Sequence, residues 1–419
     1  MPENDPVSFD GMWSALAPVG RDPGTGGYRR LAWTGTDAVL REWFAGEAAR
    51  CGLALSTDRA GNQWAWWGAP DSAGPGLALG SHLDSVPDGG AYDGPLGVVS
   101  AFAALDLLRE RGFTPRRPVG VASFADEEGA RFGVACAGSR LLTGALDADR
   151  ALALTDGDGI TLAEALTRAG RDPATVGPDD GALRRIGTFV ELHVEQGRGL
   201  ADLGRAVAVG SSIRPHGRWR LDLAGAADHA GTTRLEDRRD PMLALAALVV
   251  AARESAAARG CVATVGKVAV QPNAVNAVPS HVTAWLDARG PDADRVRSVV
   301  AAVEVAAGAP AREESFTPDI RFDPALVARL ARLLGDAPVL PTAAGHDAGI
   351  LAAAGIPTAM LFVRNPTGVS HSPAEHAERA DCLAGVEALA AVVEALCGVV
   401  PSTGGAGRGP AAEPERPSG

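Results

Sequence analysis

The hydrophobic pattern of the chain changes period several times, and each change predicts an element. Over residues 36–51 the apolar positions Val39, Leu40, Trp43, Phe44 and Ala48 recur at helical spacing, with Thr36 or Asp37 as the cap. Short strand-like runs follow at 53–56 and 63–67, split by the turn Asp58-Arg59-Ala60-Gly61-Asn62. The Trp64, Trp66, Trp67 cluster reads as core or interface rather than a ligand cage. Residues 77–80 and 118–124 are continuous apolar runs of buried-strand length. Between them, 95–112 is helical, with Pro95 in its first turn. Strand, loop, helix, strand predicts a doubly wound α/β sheet, in which ligands sit beyond the carboxyl ends of the strands.

From about 209 to 310 the pattern changes. Residues 218–223 read as a strand, 241–259 as a long Ala-rich helix, 263–270 and 282–287 as strands, and 292–307 as a helix. That has the size and order of an inserted α+β domain. Helical periodicity returns at 325–334 and 383–396, around a strand at 359–363. Residues 402–419, rich in Gly, Pro, Ala and Glu, are expected to be disordered.

The 419 residues favour two domains, and 46% hydrophobic with 21% charged residues describes a globular chain. A net charge of -12 without a Lys/Arg-rich block argues against a nucleic-acid surface, but not against a small anionic substrate. Cys51, Cys136, Cys261, Cys382 and Cys397 are scattered, with no CxxC, so no disulfide framework is expected. The start, Met1-Pro2-Glu3-Asn4-Asp5, reads as no signal peptide, and the apolar run 243–252 as too short to cross a bilayer. The expectation is a cytoplasmic protein without a membrane partner.

The candidate chemistry begins at the end of the 77–80 run. In Gly80-Ser81-His82-Leu83-Asp84-Ser85-Val86-Pro87-Asp88-Gly89-Gly90-Ala91-Tyr92-Asp93-Gly94, an imidazole and several carboxylates fall on Gly-softened backbone. Alone, the stretch leaves a metal loop and a polar turn both open. Glu127-Glu128 directly follows the strand at 118–124. Phe189-Val190-Glu191-Leu192-His193-Val194-Glu195-Gln196-Gly197 alternates, placing His193 on one face with Glu191 and Glu195. His371 follows the strand at 359–363 and the turn Asn365-Pro366-Thr367-Gly368. His82, Asp93, Glu128, His193 and His371 make enough ligands for a two-metal hydrolytic site with one bridging carboxylate. Glu127 is then the general base, and Asp84 holds the His82 tautomer. There is no GxSxG elbow and no P-loop. Cys136 reads as a small buried hydrophobe rather than a nucleophile, and His281 and His376 as ordinary residues.

These motifs together resemble the M20-type metallopeptidase superfamily, and within it the hydantoinase/carbamoylase amidases. The carriers are Gly80-Ser81-His82-Leu83-Asp84-Ser85-Val86, Tyr92-Asp93-Gly94, Glu127-Glu128-Gly129-Ala130-Arg131-Phe132, Glu191-Leu192-His193-Val194-Glu195-Gln196-Gly197, His229-Ala230-Gly231-Thr232-Thr233, Gly345-His346-Asp347-Ala348 and Ser370-His371-Ser372. The resemblance covers roughly residues 30–395. It implies His82, Asp93 and His193 on one ion and Asp93, Glu128 and His371 on the other, with Glu127 as base and a cis Asp93–Gly94 bond. The sequence does not say which metal: two ions per subunit are expected, and His and carboxylate ligands suit zinc, manganese or cobalt. It further implies an α/β metallopeptidase-like catalytic domain in two parts, 1–209 and 316–400, an inserted lid and dimerisation domain at 210–315, and a disordered tail at 401–419. His229 would polarise the scissile carbonyl in the site of the other subunit of a homodimer. Gln196, Asn276 and Arg289 would bind substrate, with Arg289 on its α-carboxylate. Relatives carry Gly-Gln-Arg before the first lid strand, where this chain has Pro215-His216-Gly217, so that Gly217 stands at the Arg position and Arg218 or His216 is left to substitute. The expected activity is cleavage of a ureido C–N bond in a small α-carboxylate, allantoate first. N-carbamoyl-L-amino acids, N-formyl or N-formimino amino acids, and a general aminoacylase or dipeptidase activity are the alternatives.

Overall fold

A computed structural model describes residues 8–398; the predicted disordered tail lies outside the described residues. Helices at Gly35–Arg50, Pro95–Glu110, Pro241–Arg259, Ala293–Ala307, Pro324–Leu333 and Arg379–Cys397 stand where helical periodicity predicts them. In the first, the cap is Thr34, whose hydroxyl accepts the Asp37 N–H, and not Thr36 or Asp37.

The strands, in chain order, are β1 (Ala54–Thr57), β2 (Gln63–Trp67), β3 (Gly76–His82), β4 (Val119–Phe124), β5 (Ile186–Val194), β6 (Val207–Ile213), β7 (His216–Ala224), β8 (Asp228–His229), β9 (Val262–Gln271), β10 (Ala277–Val278), β11 (His281–Arg289), β12 (Ala311–Thr317), β13 (Ile320–Arg321), β14 (Val339–Thr342) and β15 (Thr358–Val363). The large sheet has the order β1-β2-β4-β3-β5-β15-β6-β13, with β14 also on β6. At its centre β4, β3, β5 and β15 run parallel. The chain leaves β3, returns as β4 on one side, and later adds β5 on the other. The carboxyl ends of β3 and β5 therefore flank a topological switch point, where α/β sheets form their ligand crevice. These central strands are buried on both faces, which explains their continuous apolar runs. Trp64 and Trp66 are core residues, stacked at 6.2 Å, with the Trp64 indole donating to Asp58.

Residues from His216 to Thr317 build a separate sheet, β12-β7-β11-β9, covered by the helices Pro241–Arg259 and Ala293–Ala307. It has its own apolar core around Trp219, Leu221, Leu248, Val282, Leu286 and Val303. The fold is thus mixed α/β with an inserted α+β unit. The periodicity did not predict β12, because that strand, Ala-Arg-Glu-Glu-Ser-Phe-Thr, is a charged and largely exposed sheet edge.

Two expectations are corrected. The apolar run 243–252 lies in a 19-residue helix of mean hydropathy 1.4, which by length and composition is enough to cross a membrane. Its extra length comes from Pro241 and Met242 before the run and from the mixed polar and Ala segment 253–259 after it, and one face packs Leu245, Leu248 and Ala252 into the core of the inserted unit. The Asp93–Gly94 bond is trans: among the described residues only Gln271–Pro272 is cis. The turn is made instead by Gly94 at φ 85°, where a Cβ would lie 2.4 Å from the His82 ring.

Candidate metal centre

His82 ends β3, Glu127 and Glu128 follow β4, His193 is the penultimate residue of β5, and His371 follows β15. Adjacent parallel strands thus bring these side chains to one end of the sheet. Ligand atoms of His82, Asp93 and His193 lie within 4.8 Å of one another, and so do those of Asp93, Glu128 and His371. Asp93 is common to both groups. Its Oδ1 is 3.5 Å from His82 Nε2 and 3.1 Å from His193 Nε2, while Oδ2 is 3.3 Å from His371 Nε2.

The donor set fits divalent cations. His82 Nε2 and His193 Nε2 are buried without a hydrogen-bond partner although both face Asp93 Oδ1, and Glu128 Oε1 in the second group is likewise unpartnered. Leaving such atoms unpaired is costly, and a cation between them removes that cost. The opposite ring nitrogens are already held: His82 Nδ1 is 3.1 Å from the Asp84 carbonyl and His193 Nδ1 is 2.8 Å from the Val194 carbonyl. Both contacts fix the tautomer that turns Nε2 toward the cluster. Imidazole plus carboxylate suits zinc, manganese or cobalt.

Electrostatics follows from burial and close charges. Burial would raise the Asp93 carboxyl, but His193, His371 and His82 together hold it well below the usual range. Burial pushes Glu127 well above the ordinary carboxylate value, against the opposing pull of His82. Burial and then the Asp93 charge push Glu128 up to about 7. The hydrogen bond to Asp93, with Glu128 behind it, raises His371 to about 9.

Asp84 does more than the sequence suggested. Its carboxylate is 3.5 Å from His82 Nδ1 and also accepts the backbone N–H groups of Glu127 (3.1 Å) and Glu128 (3.0 Å). It therefore ties the loop after β4 to the loop after β3. Glu375, which no motif marked, accepts the N–H groups of both Tyr92 and Asp93 at 2.9 Å and the Ser370 hydroxyl at 2.8 Å. Only its position after Ser370-His371-Ser372 placed it near the candidate chemistry. Glu191 is fully buried and accepts from Ser81 Oγ and the Ala348 N–H, a structural use of the β5 face it shares with His193.

A cavity of about 700 Å³ opens over the cluster, lined by Asp93, Glu127, Glu128, Gln196, His346 and His371 and, across from them, by residues of the inserted unit. Gln196 Nε2 donates to Asp93 Oδ2 at 2.8 Å, and its Oε1 is buried without a partner. Arg289 lines the cavity with its guanidinium forked onto Asp287 (2.7 and 3.1 Å) and donating to the Ala343 carbonyl. His216 and Arg218 line it too. Gly217 points to the other face of β7, where a Cβ would meet the Trp219 ring at 2.5 Å and the Ser315 carbonyl at 2.7 Å. Strand alternation therefore gives the cavity to His216 and Arg218. His229 and Asn276 are not brought to this cavity; both are exposed, side by side at the β8–β10 pair.

Residues 78–395 match peptidase family M20/M25/M40. The chain is 37% identical over 406 residues to the N-carbamoyl-L-amino acid amidohydrolase of Geobacillus stearothermophilus, covering 91% of this chain and 97% of that one. It is 32% identical to the allantoate amidohydrolase of Escherichia coli K12, covering 91% and 95%. A solved hydantoinase/carbamoylase-family amidase from Burkholderia vietnamiensis superposes with a TM-score of 0.83 at 29% identity, over 93% of this chain and 98% of that one.

Proposed function

The chain belongs to peptidase family M20/M25/M40, and within it we propose a two-metal amidohydrolase that cleaves the ureido C–N bond of a small α-carboxylate substrate. The observation that carries this reading is the pair of ligand groups sharing Asp93, with Glu127 beside them in the same cavity.

His82 and His193 would hold one ion, Glu128 and His371 the other, with Asp93 between. Divalent ions held there supply Lewis acidity toward the ureido carbonyl and acidify the attacking water. Glu127 takes the proton of that water and returns it to the leaving nitrogen. Its upward-shifted carboxyl suits a base that must give the proton back near neutral pH. Gln196 Oε1 accepts a ureido N–H. Arg289, with His216 and Arg218 around it, receives the substrate carboxylate. Because His229 and Asn276 lie outside the cavity of their own chain, they serve the site of a second copy. The exposed apolar residues Leu243, Val249 and Val250 on the helix Pro241–Arg259, with the neighbouring sheet edge β9, are the face through which that copy binds.

Beside the allantoate expected from the sequence, one observation favours N-carbamoyl-L-amino acids. Phe132, Val134, Leu146, Leu154 and Phe316 give the cavity apolar walls beside its polar floor. These suit the side chain of an N-carbamoyl-L-amino acid better than the second ureido group of allantoate. The test is a panel of allantoate, N-carbamoyl-L-amino acids of graded side-chain size, N-formyl amino acids and a dipeptide, each with manganese, cobalt or zinc. Ureido turnover that rises with apolar side-chain size is the expected result; turnover of the dipeptide alone rejects the reading.

A further inference from the structure

We propose that Cys136 is a positioning residue for Glu127: its thiol holds one carboxylate oxygen so that the other faces the metal cluster. The inference rests on Glu127 being the base. Cys136 Sγ donates to Glu127 Oε1 at 3.4 Å, while Glu127 Oε2 lies 3.6 Å from His82 Nε2. The two oxygens thus have different partners on opposite sides of the carboxyl group.

The backbone repeats this arrangement. The Cys136 N–H donates to the Glu127 carbonyl, and Ala137 and Gly138 donate to the carbonyls of Asp126 and Ala125. The segment 136–138 therefore lies alongside the catalytic loop and carries the thiol to the carboxylate. Cys136 sits in the left-handed region at φ 54°, ψ 37°, as the cap of the helix Ala137–Thr143. For a residue with a Cβ that conformation is uncommon, and it aims the side chain back at Glu127. The residue is buried and does not line the cavity, so it is placed behind the base and away from substrate. Burial and the adjacent Glu127 charge keep the thiol protonated, which makes it a standing donor.

A carboxylate on a side chain with three rotatable bonds, deprived of this donor, samples rotamers in which neither oxygen addresses the attacking water. The manganese-loaded enzyme and its Cys136→Ala, Cys136→Ser and Glu127→Gln variants are compared on allantoate and N-carbamoyl-L-alanine. Cys136→Ala is expected to lose kcat by roughly five- to tenfold with KM changed by less than about twofold. Cys136→Ser, which restores a donor, recovers most of that loss. Ala and Ser are equally tolerated by the backbone, so their difference reads the hydrogen bond and not the fold. The infrared S–H stretching band of Cys136, isolated by subtracting the Cys136→Ala spectrum, is expected at lowered frequency in the wild type and at ordinary frequency in Glu127→Ala. An unshifted band, or Ser as impaired as Ala, overturns the proposal. A Glu127→Gln enzyme of wild-type activity overturns the base assignment instead. An inactive Glu127→Gln beside a fully active Cys136→Ala overturns the Cys136 role alone.

Discussion

Replacing Glu375 tests whether the loop bearing Asp93 is held from outside. The Glu375 carboxylate accepts the Tyr92 and Asp93 N–H groups at 2.9 Å each and the Ser370 hydroxyl at 2.8 Å. Glu375 is 5% exposed, so water does not readily replace it. Glu375→Ala leaves two backbone donors in a buried place, at about 1–3 kcal/mol each. Either the loop stays and the apoprotein loses about 2–6 kcal/mol of stability, or the loop shifts to hydrate those donors and carries Asp93 with it. Asp93 belongs to both ligand groups, so the second outcome weakens both ions together. Glu375→Gln is different: its oxygen keeps both N–H groups and its amide N–H faces Ser370, whose hydroxyl accepts in return. Burial and the Asp93 charge already push the Glu375 carboxyl upward, so a neutral amide suits the place, and we expect a cost below about 1 kcal/mol. The measurements are denaturant melts of the metal-free protein and metal content after dialysis against graded chelator. Alanine with wild-type stability and metal retention, or glutamine as damaging as alanine, would falsify the argument.

Further predictions concern pH, metal and assembly. Burial pushes Asp37 up from 3.8 to about 6. An acid whose folded value is raised costs stability once the unfolded chain ionises, so this cost is absent below pH 4, grows between about pH 4 and 6, and is constant above. Asp37→Asn, which keeps the acceptor for the Trp33 N–H, should therefore stabilise the protein by about 1–2 kcal/mol at pH 7.5 and leave it unchanged near pH 3.5, read by urea unfolding at both values. Chelation should abolish activity and lower the melting temperature, and manganese, cobalt or zinc at a hundredfold excess over its Kd should restore about 2.7 kcal/mol; a melting curve indifferent to chelator counts against a metal in this cluster. Mixing inactive Glu127→Gln with inactive His229→Ala should regenerate activity, because one site of the mixed dimer then has both groups intact; no recovery on subunit exchange rejects a shared site. Leu243→Asp on the exposed helix face should shift the protein from dimer to monomer in light scattering, and an unchanged mass would exclude that face.

Much of this molecule was legible because its signals are local. The central strands are continuous apolar runs, and His82, Glu127-Glu128 and His371 each follow one closely, so a parallel sheet already implied a common edge. The long helix Pro241–Arg259 was readable end to end as an Ala-rich helical run. Strand β12 was not, since a charged edge strand lacks the apolar alternation that marks the others.

What the sequence determined by itself was therefore the kinds of candidate side chain, their order, and the elements that bring them together. The tertiary structure alone decided how the polar atoms pair. Glu375 reaches the Asp93 N–H across 282 positions, and Asp84 reaches the Glu127 N–H across 43. Periodicity carries no record of such partners, because a carboxylate in sequence looks the same whether it binds a cation, a backbone amide or water. The direction of position 217 was equally hidden: pairing of β7 with β11 and β12 turns Gly217 toward Trp219 and leaves His216 and Arg218 on the cavity. A strand's alternation fixes which residues share a face, and only packing decides which face meets the substrate.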